Sequence, residues 1–220
     1  MAEPYYADEH VTLYHGDCRD ILAEVGSVDI VVTDPPYSTG RSESEFAATG
    51  NIAVALHMAS ELAPVMAVFG TSSGRGIEFV RSSVRKLPHN RTLAWHRAYV
   101  NSPAAGPWRW DLVLIHVFGR GSFGRPESSS LIQTDGTKSL ALETGHRSPV
   151  PVRVMGWIYE PFAPGVLLDP FAGSGSALIA ARNAGARAIG IEIEERYCEI
   201  IARRLSQGTL DFDPIGDEAA

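Results

Sequence analysis

The feature that most constrains this chain is an apolar run that ends in an acid and two prolines. Residues 30–32 are all β-branched and apolar, which predicts a strand buried in a parallel sheet. Asp34, Pro35, Pro36 and Tyr37 follow this run. Because each proline fixes φ and lacks an N–H, we expect a stiff loop at the carboxyl end of the strand. Open α/β sheets bind their ligands at that edge.

This loop carries the groups that a flat amine needs. The carboxylate of Asp34 and the backbone carbonyl of Pro35 can each accept a hydrogen bond from one amino group, while Tyr37 can stack on the ring that carries it. The alternative is that Asp34 only caps the strand end. The two consecutive prolines and the aromatic ring argue against that alternative.

A glycine turn forms the second informative stretch. A strand at residues 166–168 runs into Asp169-Pro170-Phe171-Ala172-Gly173-Ser174-Gly175, and a helix is predicted at 177–184. Such a turn lets a ligand approach the backbone and the helix N-terminus closely. The third glycine of the dinucleotide fingerprint is missing, and an acid and a phenylalanine suit a pyrophosphate poorly. The pattern therefore favours a nucleoside with a charged tail that lacks phosphate, although Phe171 as ordinary core is the alternative.

Glu192 extends this second site. It lies on the next predicted strand, 188–193, 17 residues beyond Gly175. Nucleotide-binding folds place an acid near this spacing to accept hydrogen bonds from ribose hydroxyls. The alternative is a solvated acid at the start of a helix. Asp17, which follows another predicted strand, has two open interpretations: it accepts from the amine of a ligand, or it caps a helix.

The rest of the pattern alternates strands and helices, as in an α/β domain. Further strands are predicted at 11–14, 28–32, 64–69, 92–95 and 112–118, and helices at 19–24, 52–62, 74–86 and 149–159. Residues 38–50 are predicted to be a mobile loop, and 119–147 a long loop or small insertion. The prolines at 149 and 151 are expected in the first turn of the last of these helices.

Charge is distributed unevenly along the chain. The net charge is −7, but residues 71–155 hold 12 Lys or Arg against 5 Asp or Glu. This basic middle predicts a face that binds a polyanion, and the alternative is a merely uneven surface. The candidate DNA-contacting residues are Arg75, Arg81, Arg85, Arg97, Arg109, Arg120 and Arg125.

Several classes of protein are not expected. The sequence has no run of 18 apolar residues, so no membrane span is expected. Its N-terminus lacks the order of a signal peptide, in which basic residues precede apolar ones. Cys18 and Cys198 match no disulfide or metal pattern, so the chain suits a reducing cytoplasm. The histidines, among them His146, lack metal-ligand spacing and are expected to be structural, and no metal site is predicted.

The two motifs together resemble the S-adenosylmethionine-dependent DNA amino-methyltransferases, which modify adenine N6 or cytosine N4. The Asp-Pro-Pro-Tyr motif precedes the Asp-Pro-Phe-Ala-Gly-Ser-Gly motif with a basic region between, which is the order of the beta group. Residues 16–18, 146–149 and 190–197 are also similar, so the resemblance covers 11–205. It departs at Arg147-Ser148, where a lysine is usual before the proline, and at Asp111, where a glutamate is usual.

The resemblance implies a fold and an organisation. The fold class is α/β, a Rossmann-like class I methyltransferase. Its mostly parallel sheet has seven strands, with one antiparallel strand at 112–118, and the circularly permuted order puts strand one near Val166. Residues 1–220 would form a single methyltransferase domain with a short target-recognition insertion at about 101–147.

The resemblance also implies roles. The chain would transfer a methyl group from S-adenosylmethionine to the amine of a flipped base in double-stranded DNA. Asp at the first position of the motif favours adenine over cytosine. An RNA adenine, a protein amide or a non-catalytic binding module are the alternatives. A homodimer or a separate specificity or nuclease subunit, as in restriction–modification, is possible under this resemblance.

The implied site residues fall into two groups. The catalytic residues are Asp34, Pro35, Pro36 and Tyr37, and the residues that bind the cofactor are Asp17, Cys18, Asp34, Arg147, Ser148, Asp169, Phe171, Ala172, Gly173, Ser174, Gly175 and Glu192. Within the second group, Glu192 would hold the ribose, and Asp17 and Cys18 would lie near the adenine. Phe171, Gly173 and Gly175 would surround the methionine part and the sulfonium, and Arg147 with Ser148 would meet the methionine carboxylate.

Overall fold

The structure is a computed structural model. It describes residues 2–36, 43–70, 74–98, 111–121, 129–135, 137–146 and 148–207.

The described residues form nine strands and seven α-helices. The strands are β1 (Tyr6–Ala7), β2 (Val11–His15), β3 (Ile30–Thr33), β4 (Val65–Gly70), β5 (His89–Arg97), β6 (Leu112–Gly119), β7 (Leu131–Thr134), β8 (Leu167–Asp169) and β9 (Ala188–Glu192). The helices are α1 (Cys18–Ile21), α2 (Glu43–Leu62), α3 (Gly74–Ser83), α4 (Lys138–Thr144), α5 (Val152–Tyr159), α6 (Ser176–Asn183) and α7 (Glu195–Ser206).

All nine strands belong to one sheet in the order β1-β2-β9-β8-β3-β4-β6-β5-β7. Strands β1 and β6 run antiparallel to the other seven. The predicted α/β class is confirmed, and β6 is antiparallel as expected, but the prediction of a single antiparallel strand is wrong because β1 also runs antiparallel. The predicted number of seven strands is wrong, because two short edge strands, β1 and β7, extend the sheet on either side.

Two apolar cores cover the two faces of this sheet. One packs α5, α6 and α7 against residues such as Ile30 and Val32, and the other packs α1, α2 and α3 against residues such as Val31. Successive residues of β3 therefore enter opposite cores, which explains its uninterrupted apolar sequence. Burying each such side chain contributes about 1.5–3 kcal/mol to the stability of the fold.

The topology creates a crevice at the centre of the sheet. Strands β8 and β3 are neighbours, but the chain leaves β8 through α6 toward β9 and leaves β3 through α2 toward β4. Ligands bind at the carboxyl edge of an open sheet where the direction of winding reverses in this way. Both sequence motifs follow these two strands, so the fold brings them to the same crevice.

Three predictions of local structure were wrong. Residues 43–50, predicted to be loop, begin α2, because their Glu and Ala residues favour a helix and outweigh the helix-breaking Gly50. Residues 38–42 lie outside the described part. The predicted loop at 119–147 contains β7, which pairs with the free edge of β5, and α4. Helix α5 begins at Val152 with Pro151 as its N-cap, so Pro149 precedes the helix.

Other boundaries shifted by a few residues. The helix predicted at 74–86 ends at Ser83, and the helix predicted at 19–24 is the single turn α1. None of the helices in the described ranges combines the length and the apolar character that crossing a membrane requires.

Candidate active site

A cleft of about 750 Å³ lies at the carboxyl edge of the sheet. The loops that follow β2, β3, β8 and β9 form its walls, and Asn51, Ile52 and Ala55 of α2 close one side. This volume is within the range of sites that enclose small organic ligands, about 300–1,000 Å³. The fold therefore brings together loops that are far apart in the sequence.

Asp34 lies on the wall of the cleft directly after β3, with Pro35 and Pro36 beside it. Burial of the carboxyl raises the pKa of Asp34 to about 7, and the positive charge of Arg97 opposes that rise. A carboxyl group in a cleft with a pKa close to neutral pH is typical of a functional site. Tyr37, the remaining predicted catalytic residue, lies outside the described residues.

Asp169 is buried behind Asp34 and does not line the cleft. Its Oδ1 accepts hydrogen bonds from Thr33 Oγ1 at 2.7 Å and from the backbone N–H of Phe171 at 3.1 Å. Burial raises the pKa of Asp169 to about 7, and the charges of Asp34 and Glu192 add to the rise. Asp169 thus connects the end of β3 to the start of the glycine turn.

Glu192 joins the glycine turn to the end of β9. Its side chain is 8% exposed and accepts from the backbone N–H of Gly173 at 2.7 Å and from that of Glu194 at 2.8 Å. Burial raises the pKa of Glu192, and these two backbone hydrogen bonds oppose the rise. Each carboxylate oxygen retains a second lone pair, so Glu192 can still accept from a hydroxyl in the cleft.

The glycines of the turn have two different surroundings. Gly173 lines the cleft with φ of +53°, whereas Gly175, with φ of +82°, packs where a Cβ would lie 2.8 Å from Ile201. Gly175 therefore permits α7 to approach the turn. Ala172 and Ser174 are also buried behind the turn, so these three predicted residues and Asp169 support the cleft from behind.

Asp17 is a helix cap, one of its two predicted roles. Its carboxylate accepts from the backbone N–H of Arg19 at 2.9 Å and also bonds the guanidinium of Arg19, which lowers the pKa of Asp17. Arg19 in turn donates to Asn51 Oδ1 at 2.8 Å, which joins the β2 loop to α2 at the cleft. Cys18 lines the cleft nearby, and burial raises the pKa of its thiol to about 12.

His146 lines the cleft and was missed by the sequence analysis, which treated it as structural. Its Nδ1 accepts the backbone N–H of Ser148 at 3.3 Å, and its ring lies 4.9 Å from that of Tyr197. Burial lowers the pKa of His146. The signal was its position two residues before Ser148, a predicted residue that also lines the cleft. Arg147 lies outside the described residues.

The candidate DNA-contacting arginines divide by exposure. Arg81 and Arg85 on or beside α3 are exposed, as is Arg120 after β6. Arg97 is partly buried, and its Cζ lies 5.7 Å from the ring centroid of Trp95, which is buried in the core. The structure does not describe the side chain of Arg75, and it does not describe Arg109 and Arg125 at all.

The charged groups of the cleft disfavour a phosphate. Asp34 and Glu192 line it together with two paired acids, Asp17 with Arg19 and Glu194 with Arg196. An acidic cleft of this kind favours a ligand with a positive charge. Within the described part of the chain, no three His, Cys, Asp or Glu side chains converge to hold a metal ion.

Comparison with known proteins agrees with this geometry. The family model described as DNA methylase, for the N6 and N4 methyltransferases, matches residues 141–203. The putative methylase YubD of Escherichia coli strain K12 is 37% identical over 233 residues, covering 93% of this chain and 97% of the relative. The chain belongs to the N6-adenine and N4-cytosine DNA methylase family.

Solved structures share the fold of this methylase. The M1.HpyAVI–SAM complex superposes with a TM-score of 0.72 at 23% identity, covering 89% of this chain and 98% of that one. The cytosine-N4-specific PvuII DNA methyltransferase superposes with a TM-score of 0.71 at 16% identity, covering 97% and 91%. At sequence identities of 23% and 16%, these similarities show a shared fold and no more. Members of the family use S-adenosylmethionine as the methyl donor.

Proposed function

We propose that this methylase transfers a methyl group from S-adenosylmethionine to N6 of adenine in double-stranded DNA. The observation that carries the proposal is the position of Asp34. Its carboxyl lies at the point where the sheet reverses its winding, next to a cleft that is large enough for a nucleoside and lined by acids. Residues 1–220 act as one catalytic domain in this proposal.

The residues of the cleft fit the cofactor. Glu192 would accept from the ribose hydroxyls, Asp17 and Cys18 would border the adenine, and Phe171 and Gly173 would border the methionine part. Ser148, with Arg147, would meet the carboxylate. The acidic lining suits a sulfonium and would repel a phosphate. When bound, S-adenosylmethionine supplies a methyl group that is activated by the positive charge of its sulfur.

Asp34 and Pro35 activate the amine of the base. The lone pair of an exocyclic amine is delocalised into the ring, so the amine is a poor nucleophile. When the carboxylate of Asp34 and the carbonyl of Pro35 accept its two N–H groups, the nitrogen is drawn toward tetrahedral geometry. The fixed carboxylate also stabilises the positive charge that develops on nitrogen, a preorganised effect worth several kcal/mol. Pro36 keeps this loop stiff.

The base must leave the duplex to reach Asp34. Tyr37 would stack on the flipped base, which contributes roughly 1–3 kcal/mol. The exposed Arg81, Arg85 and Arg120, together with Arg75, Arg109 and Arg125, would contact phosphates. The segment at about 101–147 would read the recognition sequence. A DNA substrate would be consistent with the expected cytoplasmic location of a bacterial or phage-encoded protein, and a second copy or a specificity subunit would extend its contacts.

The choice of adenine rests on the first residue of the motif. Because a cytosine-N4 enzyme shares the fold, the fold does not distinguish the two bases. Asp34, where cytosine-N4 members more often carry serine, favours adenine.

The test is incubation of the purified protein with labelled S-adenosylmethionine and unmethylated genomic DNA, followed by nucleoside mass spectrometry. N6-methyladenine is the expected product, and N4-methylcytosine would contradict the choice of base. Asp34→Ala should lower kcat by roughly 10²-fold or more while the affinity for the cofactor is retained. Label found in RNA or protein, with none in DNA, would contradict the proposed substrate.

A further inference from the structure

The two strands that carry the motifs separate at their carboxyl ends. The backbone ladder between β3 and β8 ends at the pair of Val31 and Leu168. Strand β3 stays paired with β4 as far as Thr33, and β8 stays paired with β9 as far as Asp169. The crevice therefore opens between the last two residues of β3 and the last residue of β8, where their shared ladder has already stopped.

One side-chain hydrogen bond crosses this opening. Thr33 Oγ1 donates to Asp169 Oδ1 at 2.7 Å, the usual distance for a hydroxyl that donates to an oxygen. Both side chains are buried, so water does not compete for either group. The bond thus holds the two strands together at the point where their backbones no longer pair.

Each end of this bond is attached to one of the two motifs. Thr33 directly precedes Asp34. The same oxygen of Asp169 also accepts from the backbone N–H of Phe171 at 3.1 Å, inside the glycine turn. Asp34 and Phe171 both line the cleft. A single carboxyl oxygen therefore joins the loop proposed to hold the amine to the turn proposed to hold the cofactor.

The residue type at position 33 is itself informative. Thr33 is fully buried, follows an apolar run at 30–32 and does not line the cleft. Valine has nearly the same shape and would continue this run without the cost of burying a hydroxyl. The hydroxyl at this position is therefore explained by its bond to Asp169 and by no contact in the cleft.

We propose that Thr33 is a positioning residue for methyl transfer, which fixes the distance between the catalytic loop and the glycine turn through Asp169. This inference rests on the proposed function. Methyl transfer requires the donor and the amine to be in line and in close contact, and a misplacement of about 1 Å can lower the rate by roughly 10²-fold. Because Asp34 would hold the amine and the turn would hold the donor, a wider crevice would separate the reacting groups.

The direct test compares Thr33→Val with Thr33→Ser. Valine keeps the shape and removes the hydroxyl, whereas serine keeps the hydroxyl. Thr33→Val should lower kcat roughly tenfold or more and leave the Kd for S-adenosylmethionine and the KM for DNA within about twofold of wild type. Thr33→Ser should recover most of the lost kcat. An unchanged kcat in Thr33→Val, or a change in KM alone, would overturn the proposal.

Ser60→Ala is the matched control for the loss of a buried hydroxyl. Ser60 is as buried as Thr33, and its Oγ donates to the carbonyl of His57 at 2.6 Å within α2. The variant removes a bond of similar length that joins neither motif, so it should lower the melting temperature and leave kcat unchanged. Equal losses of kcat in Ser60→Ala and Thr33→Val would mean that reduced stability explains both, which would overturn the proposal.

A double-mutant cycle tests whether Thr33 acts through Asp169. In a protein that already carries Asp169→Ala, Thr33→Val should lower kcat no further, because the bond is already absent. A full additional loss would contradict the link. Should Thr33→Val fail to fold, Thr33→Ala and Thr33→Ser differ by one hydroxyl, and equal kcat values in these two variants would overturn the proposal.

NMR gives a readout that needs no DNA. Pro35 and Pro36 carry no N–H, so the amide of Asp34 is the probe nearest to the bond in this loop. Its ¹⁵N relaxation should show a lower order parameter in Thr33→Val than in wild type or Ser60→Ala. Unchanged relaxation would overturn the inference whether or not the protein methylates DNA. Increased motion in a protein that methylates no DNA would support the link and contradict the proposed function.

Discussion

Replacing Asp34 by asparagine should make the protein inactive and more stable. Burial raises the pKa of Asp34 from an ordinary value of 3.8 to about 7, so the folded state holds the proton more tightly than the unfolded state. A group of this kind stabilises the fold at low pH and loses that contribution as the pH rises through its folded pKa. Asparagine removes the cost of ionising this buried group in the folded state. The gain in the free energy of unfolding of Asp34→Asn over wild type should therefore grow with pH.

The magnitude follows from the shift. A carboxyl whose pKa is about 7 in the folded state and about 3.8 in the unfolded state costs at most roughly 4 kcal/mol when it is ionised in both, and less because Asp34 borders an open cleft. At pH 5 the carboxyl of Asp34 is already ionised in most unfolded chains, so part of the stability difference has developed below that pH. The advantage of Asp34→Asn should therefore grow by about 2–3 kcal/mol between about pH 5 and pH 8. Shared protonation with Asp169 would reduce this figure.

The assay is urea unfolding of wild type and Asp34→Asn at both pH values, combined with the methylation rate. Asp20→Asn, at an exposed position in α1, is the matched control and should show no such growth. Methylation should be lost in Asp34→Asn, because the amide carries no charge to stabilise the developing positive charge on the amine. A stability difference that is constant or shrinks with pH would refute the reasoning.

The remaining predictions concern the side of the cleft proposed to hold the cofactor. In Glu192→Gln the side-chain NH₂ would face one of the two backbone N–H groups, of Gly173 and Glu194, that donate to the carboxylate. The free energy of unfolding should therefore fall by roughly 2–3 kcal/mol, and the affinity for S-adenosylmethionine should fall too. Glu194→Gln breaks only an exposed ion pair and should cost less than about 1 kcal/mol; equal losses in urea unfolding would contradict the difference. Gly175→Ala, at φ of +82° and against Ile201, should lower the melting temperature through a loss of roughly 1–3 kcal/mol, and an unchanged Tm would show that the turn can adapt. Phe171→Ala should weaken cofactor binding by roughly 1–3 kcal/mol in titration calorimetry, and an unaltered Kd would remove Phe171 from the site.

Local chemistry explains what the sequence could predict. The buried run before Asp34 and the glycine turn after Asp169 are encoded by residues adjacent in the chain, so the strands and their loops were placed nearly correctly. Strand β7 was missed because its four residues gain their pairing from β5, which lies more than thirty residues away in sequence. The helical residues 43–50 are mostly polar, end in a glycine and show no apolar periodicity, so only the helix propensity of their Glu and Ala residues indicates a helix.

The same division holds at the site. The sequence predicts both acids at strand ends, Asp34 from the prolines and tyrosine that follow it and Glu192 from its spacing to Gly175, and the fold brings both to one cleft. The sequence predicts Arg97 only as one member of a basic surface, because no sequence pattern shows that its guanidinium folds back over Trp95. His146 was read as structural for a similar reason, since its neighbours Gly173 and Tyr197 come from distant segments.

Strand β7 also limits which parts of the proposed recognition segment can be exchanged. Because Leu131–Thr134 are hydrogen-bonded into the sheet beside β5, this part of the insertion belongs to the scaffold. Drift or deliberate exchange of recognition segments between relatives should therefore conserve the β7–β5 pairing and vary the stretches on either side. Chimeras joined outside 131–134 should remain folded, and chimeras that replace this strand should lose an edge of the sheet together with their new specificity.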